Sequence, residues 1–422
     1  MERVAVVGGG LAGLVAARRL ADRGCQVTLY EASERLGGRV GSDESEGFVL
    51  DRGFQVLFPS YPAVRRELDL AALDLRHFRP GAIIARPGQR SVLSDPTRDL
   101  RALPPSLFNR EVTFEDKYRV LRLRRDLAGQ SPEAILEHDR RSIETALADR
   151  GFSARFREAF AAPFLGGITL DRSLSTAEFV FEYAFKMLGE SRAAVPAAGM
   201  GAIPAQLAER ARAAGVDVVL NAPVDAVEAA SAEVTLETPG GFETVDGAVL
   251  ATDPETAAVL TGVDGIPTEM RGCVTQHFAL PSAQQLDLGR RLLLNAEDAR
   301  PNHVALLSAV ADSYAPGTRQ LLSATFLGEP AADDETLAAE VREAMAAWYP
   351  ENNFGGMELL STHRIPAAQL AQPPGFRRNL PAIDAPAGPV VLAGDHTRWS
   401  SIQGALESGR RAVGALLDGG QS

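Results

Sequence analysis

The hydrophobic positions at the start of the chain follow first one period and then another. Residues 4–7 are a run of four apolar residues, which predicts a buried strand. From Leu14 to Leu20 the apolar residues follow helical spacing, and Gly24 ends that helix. Residues 26–30 form a second apolar strand. Strand, helix and strand in this order predict an α/β unit with parallel strands.

Similar signals recur in the middle and at the end of the chain. A helix is predicted over 205–214, with strands at 216–220 and 247–251, and Val224 is expected to open the strand between them. Residues 389–395 contain another apolar strand, and a final helix begins at Ser401. If these segments pack together, the chain leaves the first α/β unit and returns to it twice.

The intervening segments show two other patterns. Residues 104–190 are predicted to be mostly helical, and four phenylalanines recur every fourth residue from Phe152 to Phe164. This aromatic stripe favours core packing, with the wall of an apolar substrate channel as the alternative. Residues 269–328 alternate like antiparallel strands at 273–280, 303–310 and 320–326, and a helix capped by Asp333 or Asp334 follows.

Three glycines with a characteristic spacing lie where the first predicted strand meets the first predicted helix. Gly8, Gly10 and Gly13 fit the pattern in which the chain turns tightly, lets a pyrophosphate approach, and packs helix on strand. Glu31 ends the second strand, where a carboxylate can accept both ribose hydroxyls of an adenosine. The helix N-terminus presents unpaired N–H groups and a positive dipole to a diphosphate. Together they predict a pocket for an adenine dinucleotide.

Residues 31–39, EASERLGGR, resemble the extended fingerprint of the FAD-dependent amine oxidase and carotenoid desaturase superfamily. Two further segments are similar to that superfamily: the loop 51–56 and the closing motif AGD…SIQGALESG. The loop departs from the usual pattern, with Phe54 where many relatives have a second glycine. The resemblance implies FAD as cofactor. The cofactor-binding residues that the motifs and the resemblance indicate are Gly8, Gly10, Leu11, Ala12, Gly13, Glu31, Ala32, Gly38, Arg39, Gly53, Phe54, Gln55, Val56, Val224, Ala251, Gly394, Asp395, Ser401, Ile402, Gln403 and Ala405.

The resemblance also implies a fold. It is an α/β fold, in which a Rossmann-like FAD-binding domain of the glutathione-reductase type is interleaved with an α+β substrate domain that carries an antiparallel sheet and a helical subdomain. We assign residues 1–68, 192–265 and 381–422 to the FAD-binding domain. The substrate-domain sheet is expected in 69–103 and 266–380, and the helical subdomain in 104–191.

Two residue types separate the branches of the superfamily. Amine oxidases usually carry an aromatic residue just before the closing Gly-Ala pair and a lysine on a substrate-domain strand. This chain has Ser401 in the first place and no lysine between residues 187 and 422. Both features favour desaturase-like dehydrogenation of an apolar substrate, with hydride passing to flavin N5, although Gln403 stands where desaturases usually have glutamate. An amine oxidase, a flavin-dependent isomerase and a non-catalytic flavin-binding scaffold stay open as alternatives.

No catalytic side chain is identified by this comparison. Gln55, His396 and Trp399 are candidates for side chains near the flavin ring, and each is equally suited to packing or hydrogen bonding. The six histidines are scattered and the two cysteines fit no metal spacing, so no metal site is predicted. Oxygen, a quinone or another carrier can serve as the electron acceptor, and the sequence does not choose among them.

Composition narrows the partners. The chain has 422 residues and a net charge of −12, which argues against nucleic-acid binding. Two cysteines, an α/β unit that starts near Met1, and no apolar run of about 20 residues predict a cytoplasmic protein. Residues 117–125 carry several arginines and are the candidate patch for a peripheral membrane contact, with a solvated helix face as the alternative. The oligomeric state is left open.

Overall fold

The computed structural model describes residues 1–94, 111–281, 286, 288–297 and 300–418. The strands are β1 (Arg3–Val7), β2 (Gln26–Tyr30), β3 (Ser42–Ser45), β4 (Phe48–Asp51), β5 (Leu75–His77), β6 (Ala82–Arg86), β7 (Gln89–Leu93), β8 (Ala194–Pro196), β9 (Asp217–Val219), β10 (Ala226–Ala229), β11 (Val234–Thr238), β12 (Gly241–Val245), β13 (Gly247–Leu250), β14 (Met270–Pro281), β15 (Leu292–Asn295), β16 (His303–Leu306), β17 (Arg319–Leu327), β18 (Glu358–Leu370) and β19 (Val390–Leu392). The helices are α1 (Leu11–Ala21), α2 (Pro62–Glu67), α3 (Phe114–Ala128), α4 (Pro132–Ile135), α5 (Ile143–Asp149), α6 (Ala154–Phe156), α7 (Ala162–Thr169), α8 (Glu178–Glu190), α9 (Ala202–Ala213), α10 (Pro254–Thr261), α11 (Leu307–Val310), α12 (Asp334–Trp348) and α13 (Ile402–Asp418).

A parallel five-stranded sheet joins the start, middle and end of the chain. Its strand order is β19-β13-β1-β2-β9, and every neighbouring pair is parallel. The strands are apolar because both faces are covered. The helices α1 and α13 pack together on one side, and β10, β11 and β12 form a small antiparallel sheet that packs on the other.

The second large sheet has seven strands in the order β18-β14-β17-β16-β15-β6-β7. All of its neighbouring pairs are antiparallel except β15 with β6. The long helix α12 covers one face, where Leu337, Val341 and Met345 pack against Val274 and Phe278 of β14. The side chain of Asp333 caps this helix by accepting a hydrogen bond from the N–H of Thr336.

The helical segment from α3 to α8 lies between these sheets in the sequence. A single π-helical turn, Arg157–Ala161, joins α6 to α7. The four phenylalanines from Phe152 to Phe164 form a row, with successive ring centroids 4.7, 5.3 and 5.2 Å apart. Phe152 and Phe156 are buried and the other two are half-buried, as expected of a core stripe. None of the helices in the described ranges combines the length and the apolar character that a bilayer-spanning helix requires.

The prediction of a mixed α/β fold is confirmed, and some element boundaries differ. Val224 does not open a strand, because β10 begins at Ala226. The predicted strand over 303–310 ends at Leu306, where the chain turns into α11. Within the segment predicted to be mostly helical, α4 is only one turn long. Residues 95–110, which include part of the predicted boundary between the substrate sheet and the helical subdomain, lie outside the described residues.

Candidate functional site

The carboxyl ends of four parallel strands lie in one row. Tyr30 of β2 pairs with Val7 of β1, Val7 pairs with Leu250 of β13, and Leu250 pairs with Leu392 of β19. Open α/β sheets bind ligands at this edge, because loops and helix N-termini converge there. The predicted site residues that directly follow these strands are Gly8, Glu31, Ala251 and, one residue further on, Gly394.

The turn between β1 and α1 is shaped by two glycines with opposite surroundings. A Cβ atom on Gly13 would lie 1.9 Å from the carbonyl oxygen of Gly8, so no larger residue fits there. A Cβ atom on Gly10 would meet no atom within 4 Å among the described residues. Leu11 and Ala12 begin α1, whose first N–H groups have no partner within the helix. Gly10 therefore borders open space beside the positive end of α1.

Glu31 is held beside this turn by both of its carboxylate oxygens. The N–H of Gly9 donates to Oε2 at 2.7 Å, and Ser33 donates to Oε1 through its N–H and its hydroxyl. The N–H of Ala222 donates to the carbonyl oxygen of Glu31 at 2.9 Å, which brings the segment that contains Val224 to the same place. Ala32, the next residue along, is exposed.

The second glycine pair packs directly on the first turn. Gly37 forms an isolated β-bridge with Gly10, and a Cβ atom on Gly38 would lie 3.4 Å from the Cα of Gly10. Arg39 follows and reaches the C-terminal segment, where its Nη2 lies 2.6 Å from Oδ1 of Asp395. The Arg39 side chain keeps 38% of its surface exposed while that of Asp395 keeps 4%, so part of the Arg39 side chain still borders open space.

Asp395 is ionised in this arrangement. Burial raises the pKa of its carboxyl, but the charge of Arg39 and the hydrogen bonds from Arg39 and Ser400 outweigh burial and hold the pKa below its ordinary value. The Ser400 hydroxyl donates to Oδ2 at 2.7 Å. Gly394 precedes this residue with a φ of 145°, which an L side chain rarely adopts.

The loop that contains Gly53, Phe54, Gln55 and Val56 follows β4 and contacts both sheets. The side-chain Nε2 of Gln55 donates to the carbonyl oxygen of Arg39 at 3.0 Å. The ring of Phe54 packs edge-to-face against His303 of β16, with centroids 4.8 Å apart. A Cβ atom on Gly53 would lie 2.9 Å from the Cδ1 of Ile365 in β18. The loop therefore lies between the glycine turns and the seven-stranded sheet.

The closing helix α13 reaches the same region. The hydroxyl of Ser401 accepts a hydrogen bond from the N–H of Gly404 at 2.8 Å, so Ser401 caps the helix. Ile402 and Ala405 lie in the first turn, and a Cβ atom on Gly409 would lie 2.2 Å from the carbonyl oxygen of Ala12 in α1. This close approach fixes the two helices side by side.

The side chains of Gln403, Trp399 and His396 have three different surroundings. The Oε1 of Gln403 accepts from the N–H of Ala63 at 2.8 Å, so this side chain binds α2. Trp399 is buried against the rings of Tyr61 and Tyr183, which is core packing. His396 is buried and burial lowers its pKa, yet neither ring nitrogen has a hydrogen-bond partner among the described residues.

Sequence reasoning missed Tyr314 as a partner of Asp51, the residue just before the 53–56 loop. The Tyr314 hydroxyl donates to Oδ2 at 2.8 Å, and the Ser42 hydroxyl and the Met200 N–H donate to Oδ1. Burial raises the pKa of Asp51 to about 6, although all three hydrogen bonds act in the opposite direction. No local pattern predicts the contacts of Asp51 with Tyr314 and Met200, because these two residues are 263 and 149 positions away in the sequence.

Residues 11–417 match the family described as flavin containing amine oxidoreductase. The chain belongs to this family. It is therefore an FAD-dependent oxidoreductase, and both amine oxidases and a phytoene desaturase are among the proteins to which it is similar. Within the described ranges, no group of three or more His, Cys, Asp or Glu side chains is placed to hold a metal ion.

Two curated relatives and one solved structure illustrate the range of the family. The chain is 25% identical to the 15-cis-phytoene desaturase of Synechococcus elongatus, over 98% of this chain and 96% of that protein. It is 44% identical to the L-amino-acid oxidase of Pseudechis australis over 79 residues, only 18% of this chain and 15% of that protein's length. Cyclohexylamine oxidase from Brevibacterium oxydans superposes over 100% of both chains with a TM-score of 0.71 at 20% identity, which shows the shared fold.

Proposed function

We propose that this flavoprotein dehydrogenates a carbon–carbon bond of a largely apolar substrate. The full-length similarity to a phytoene desaturase supports this function, whereas the match to L-amino-acid oxidase is confined to a short segment. The observation that carries the proposal is the absence of lysine after residue 186, together with Ser401 in the closing motif. An amine oxidase is the second candidate, favoured by the structural likeness to cyclohexylamine oxidase.

The glycine turns and the closing helix fit FAD. We propose that residues 1–68, 192–265 and 381–422 form the FAD-binding unit, as their shared parallel sheet supports. Gly10 and Gly38 leave room for a diphosphate, because a Cβ at Gly10 would project into open space. Arg39 is the cation that would pair with it, since its side chain is partly exposed beside Asp395. Glu31 would accept the ribose hydroxyls, with Val224 and Ala251 on either side of the adenosine.

The remaining residues would hold the flavin ring and its ribityl chain. Residues 53–56 lie between the glycine turns and the seven-stranded sheet, so they would contact the flavin ring of an FAD whose diphosphate is bound at Gly10. The N-terminus of α13 presents its free N–H groups and positive dipole to a group that gains negative charge. Asp395 and the unpartnered nitrogens of buried His396 supply polar atoms next to the same segment.

FAD supplies the hydride acceptor when it is bound. The chain's own contribution is then to orient one C–H bond, exclude water and let a proton leave. The buried faces of β14, β16 and β17 and the aromatic rings of Phe54 and Phe78 exclude water on the substrate side. We propose no single side chain as the base, because dehydrogenation of an activated C–H bond does not require a strong one.

Anaerobic titration tests the proposal. Purified protein reconstituted with FAD is mixed with polyprenoid and with amine candidates, and the flavin absorbance and the product mass are recorded. A loss of absorbance with a polyprenoid and a product two hydrogens lighter supports dehydrogenation. Bleaching by amines alone assigns the protein to the amine oxidases. A product of unchanged mass, formed with no oxidant consumed, assigns it to the isomerases.

We also propose that α3 contacts a membrane surface. Three apolar residues on one side of this helix are exposed: Phe114 (72%), Tyr118 (67%) and Leu121 (49%). Five basic and three acidic residues lie between 114 and 128, so the helix is positive in a chain of net charge −12. An exposed apolar stripe with basic neighbours is complementary to an anionic lipid surface.

A further inference from the structure

The seven-stranded sheet has one apolar face and one unexpectedly polar face. Along β14, Val274 and Phe278 point to α12, so Thr275 and His277 point to the opposite face. In β17, Leu322, Ala324 and Phe326 contact the helix side, which places Ser323 and Thr325 on the opposite face as well. We call the face that α12 does not cover the inner face.

Five polar side chains on this inner face are neighbours across three strands. Thr325 pairs with Thr275 on one side and with His303 of β16 on the other, and Ser323 pairs with His277 in the next row. Such cross-strand partners have Cβ atoms about 4.5–5.5 Å apart. All five side chains are at most 3% exposed. The atoms that have no hydrogen-bond partner among the described residues are His277 Nε2, His303 Nε2, Ser323 Oγ and Thr325 Oγ1.

The hydrogen bonds around His303 fix which of its nitrogens is a donor. The side-chain Oδ1 of Asn302 accepts from Arg172 at 3.1 Å, so the side-chain Nδ2 of Asn302 is the group that faces Pro163 and His303. This nitrogen donates to Nδ1 of His303 at 3.0 Å. A neutral imidazole whose Nδ1 accepts carries its proton on Nε2. His303 therefore presents an N–H donor on the inner face.

The inner face adjoins the loop that we assign to the flavin ring. The Phe54 ring contacts His303, and Gly53 lies beside Ile365, which pairs with Cys273 in β14. Burial lowers the pKa of His277 to about 3 and that of His303 to about 4, so both imidazoles are neutral. The other residues that this alternation places on the inner face in the paired stretches of these three strands are Cys273, Ala279, Pro281, Ala305, Arg319, Leu321 and Leu327.

We propose that the inner face binds an uncharged oxygen-bearing group of the substrate, a hydroxyl or a carbonyl. The N–H of His303 and the hydroxyls of Thr325 and Ser323 are the groups that would bind its oxygen. A buried polar atom that never finds a partner costs about 1–3 kcal/mol, so a cluster of four such atoms is costly to keep unless a ligand uses it. This inference rests on the proposed function and narrows its substrate from a hydrocarbon to an oxygenated apolar molecule.

A stability measurement tests the inference without any substrate. Thr325→Val replaces the unpartnered hydroxyl by a methyl group of similar size, so we expect the melting temperature of the FAD-loaded variant to stay unchanged or to rise. Thr169→Val is the matched control, because the equally buried Thr169 hydroxyl donates to the Leu165 carbonyl at 2.9 Å. This control is expected to melt lower. A Thr325→Val variant that loses as much as the control has lost a satisfied structural hydrogen bond, and the proposal fails.

Binding measurements test the ligand. Geraniol, geranylamine and their parent hydrocarbon share one skeleton and end in a hydroxyl, an ammonium and a methyl group. Each is titrated into the FAD-loaded protein while the flavin spectrum is followed. We expect geraniol to bind at least about tenfold more tightly than the hydrocarbon, the effect of about 1.4 kcal/mol from a hydrogen bond. The preference should disappear in Thr325→Val and in His303→Phe.

Equal affinities for the alcohol and the hydrocarbon, or a preference that survives both variants, would overturn the inference. Tighter binding of geranylamine would overturn it in favour of an amine site. Failure to bind any of the three probes also counts against the inner-face site. Dehydrogenation is judged separately, because flavin bleaching and the product mass with polyprenoid substrates do not depend on a preference for oxygen.

Discussion

The guanidinium of Arg39 lies 2.6 Å from the buried carboxylate of Asp395, although 356 residues separate them in the sequence. This ion pair connects the second glycine turn to the segment between β19 and α13. Because Gln55 also donates to the carbonyl oxygen of Arg39, three distant parts of the chain meet at one residue. The pair therefore joins the elements that we assign to the two halves of the FAD site.

Asp395→Asn tests this junction through pH. The folded protein holds the pKa of Asp395 below its ordinary value, so the carboxylate stabilises the fold above the unfolded pKa and loses that contribution as pH falls through the folded one. We expect the variant to melt lower than the wild type at neutral pH and the difference to shrink below about pH 4. Thermal unfolding from pH 3 to 8 measures it. Asp334→Asn, at the exposed pair with Arg364, is the control and should change little.

The two glycines of the first turn give a pair of substitutions with opposite outcomes. Gly13→Ala places a methyl group 1.9 Å from the Gly8 carbonyl oxygen, so we expect a loss of stability of about 1–3 kcal/mol or more. Gly10→Ala meets no protein atom within 4 Å among the described residues, so the apoprotein should melt normally but bind FAD weakly. Calorimetry of the apoprotein and FAD titration separate the two effects. Normal FAD affinity in Gly10→Ala would contradict the assignment of the diphosphate to this turn.

Glu31→Gln tests the ribose contact. The glutamine keeps the size of the side chain but removes the charge that receives hydrogen bonds, and a hydrogen bond to a charged group contributes about 1.5–3 kcal/mol. We expect the FAD dissociation constant to rise about tenfold or more, as measured by quenching of flavin fluorescence. Glu34→Gln, on an exposed neighbour of the same loop, is the matched control and should leave affinity unchanged. Equal FAD dissociation constants for both variants would contradict the assignment of Glu31 to the ribose contact.

Tyr314→Phe should change the pH dependence of stability. The Tyr314 hydroxyl donates to the carboxylate form of Asp51, whose pKa is raised by burial to about 6. An acid whose pKa is raised in the folded protein destabilises the fold as pH rises from its unfolded pKa to its folded pKa. The hydrogen bond from Tyr314 lowers the folded pKa of Asp51 and so reduces this loss of stability. The difference in melting temperature between wild type and variant is therefore expected to grow as pH rises through about 6. A difference that is the same at pH 5 and pH 8 would show that the hydroxyl does not contribute through Asp51.

Vesicle flotation tests the α3 surface. Phe114→Ser with Tyr118→Ser and Leu121→Ser removes the exposed apolar residues, and we expect binding to phosphatidylserine-containing vesicles to fall about tenfold or more. Phe242→Ser is the control, because Phe242 is equally exposed at 77% but lies on β12. Binding of the wild type to neutral phosphatidylcholine vesicles should be weak. Failure of the wild type to bind anionic vesicles would leave α3 as a solvated helix face.

The elements that sequence reasoning predicted well are those with strong local signals. Residues 26–30 form β2 with the expected bounds, and Asp333 caps α12, because apolar runs and capping residues act over a few positions. The predicted strand at 303–310 was too long, because Leu307, Ala309 and Val310 suit a buried helix as well as a buried strand, and the chain turns into α11. Sequence alone cannot separate a short buried helix from a strand extension.

The inner face of the seven-stranded sheet could only be found from the structure. The sequence shows polar residues within apolar strands at Thr275, His277, Ser323 and Thr325. Which of these side chains lie next to one another depends on the register between the strands. The hydrogen bond from Asn302 to Pro163 of α7 and the packing of Phe54 on His303 join three parts of the chain that no local pattern connects. The composition of such a site depends on long-range strand pairing, whereas sequence motifs report only residues that are close together in the chain.

The central strand β1 pairs with β13, and β13 in turn pairs with β19 near the end of the chain. A ribosome must therefore translate past residue 392 before the sheet can be completed. Until then the nascent polypeptide exposes the apolar edge of β13 and the side of α1 that α13 later covers. Chaperones are expected to protect these surfaces during translation, and a premature stop codon in the last helix should leave an aggregation-prone product.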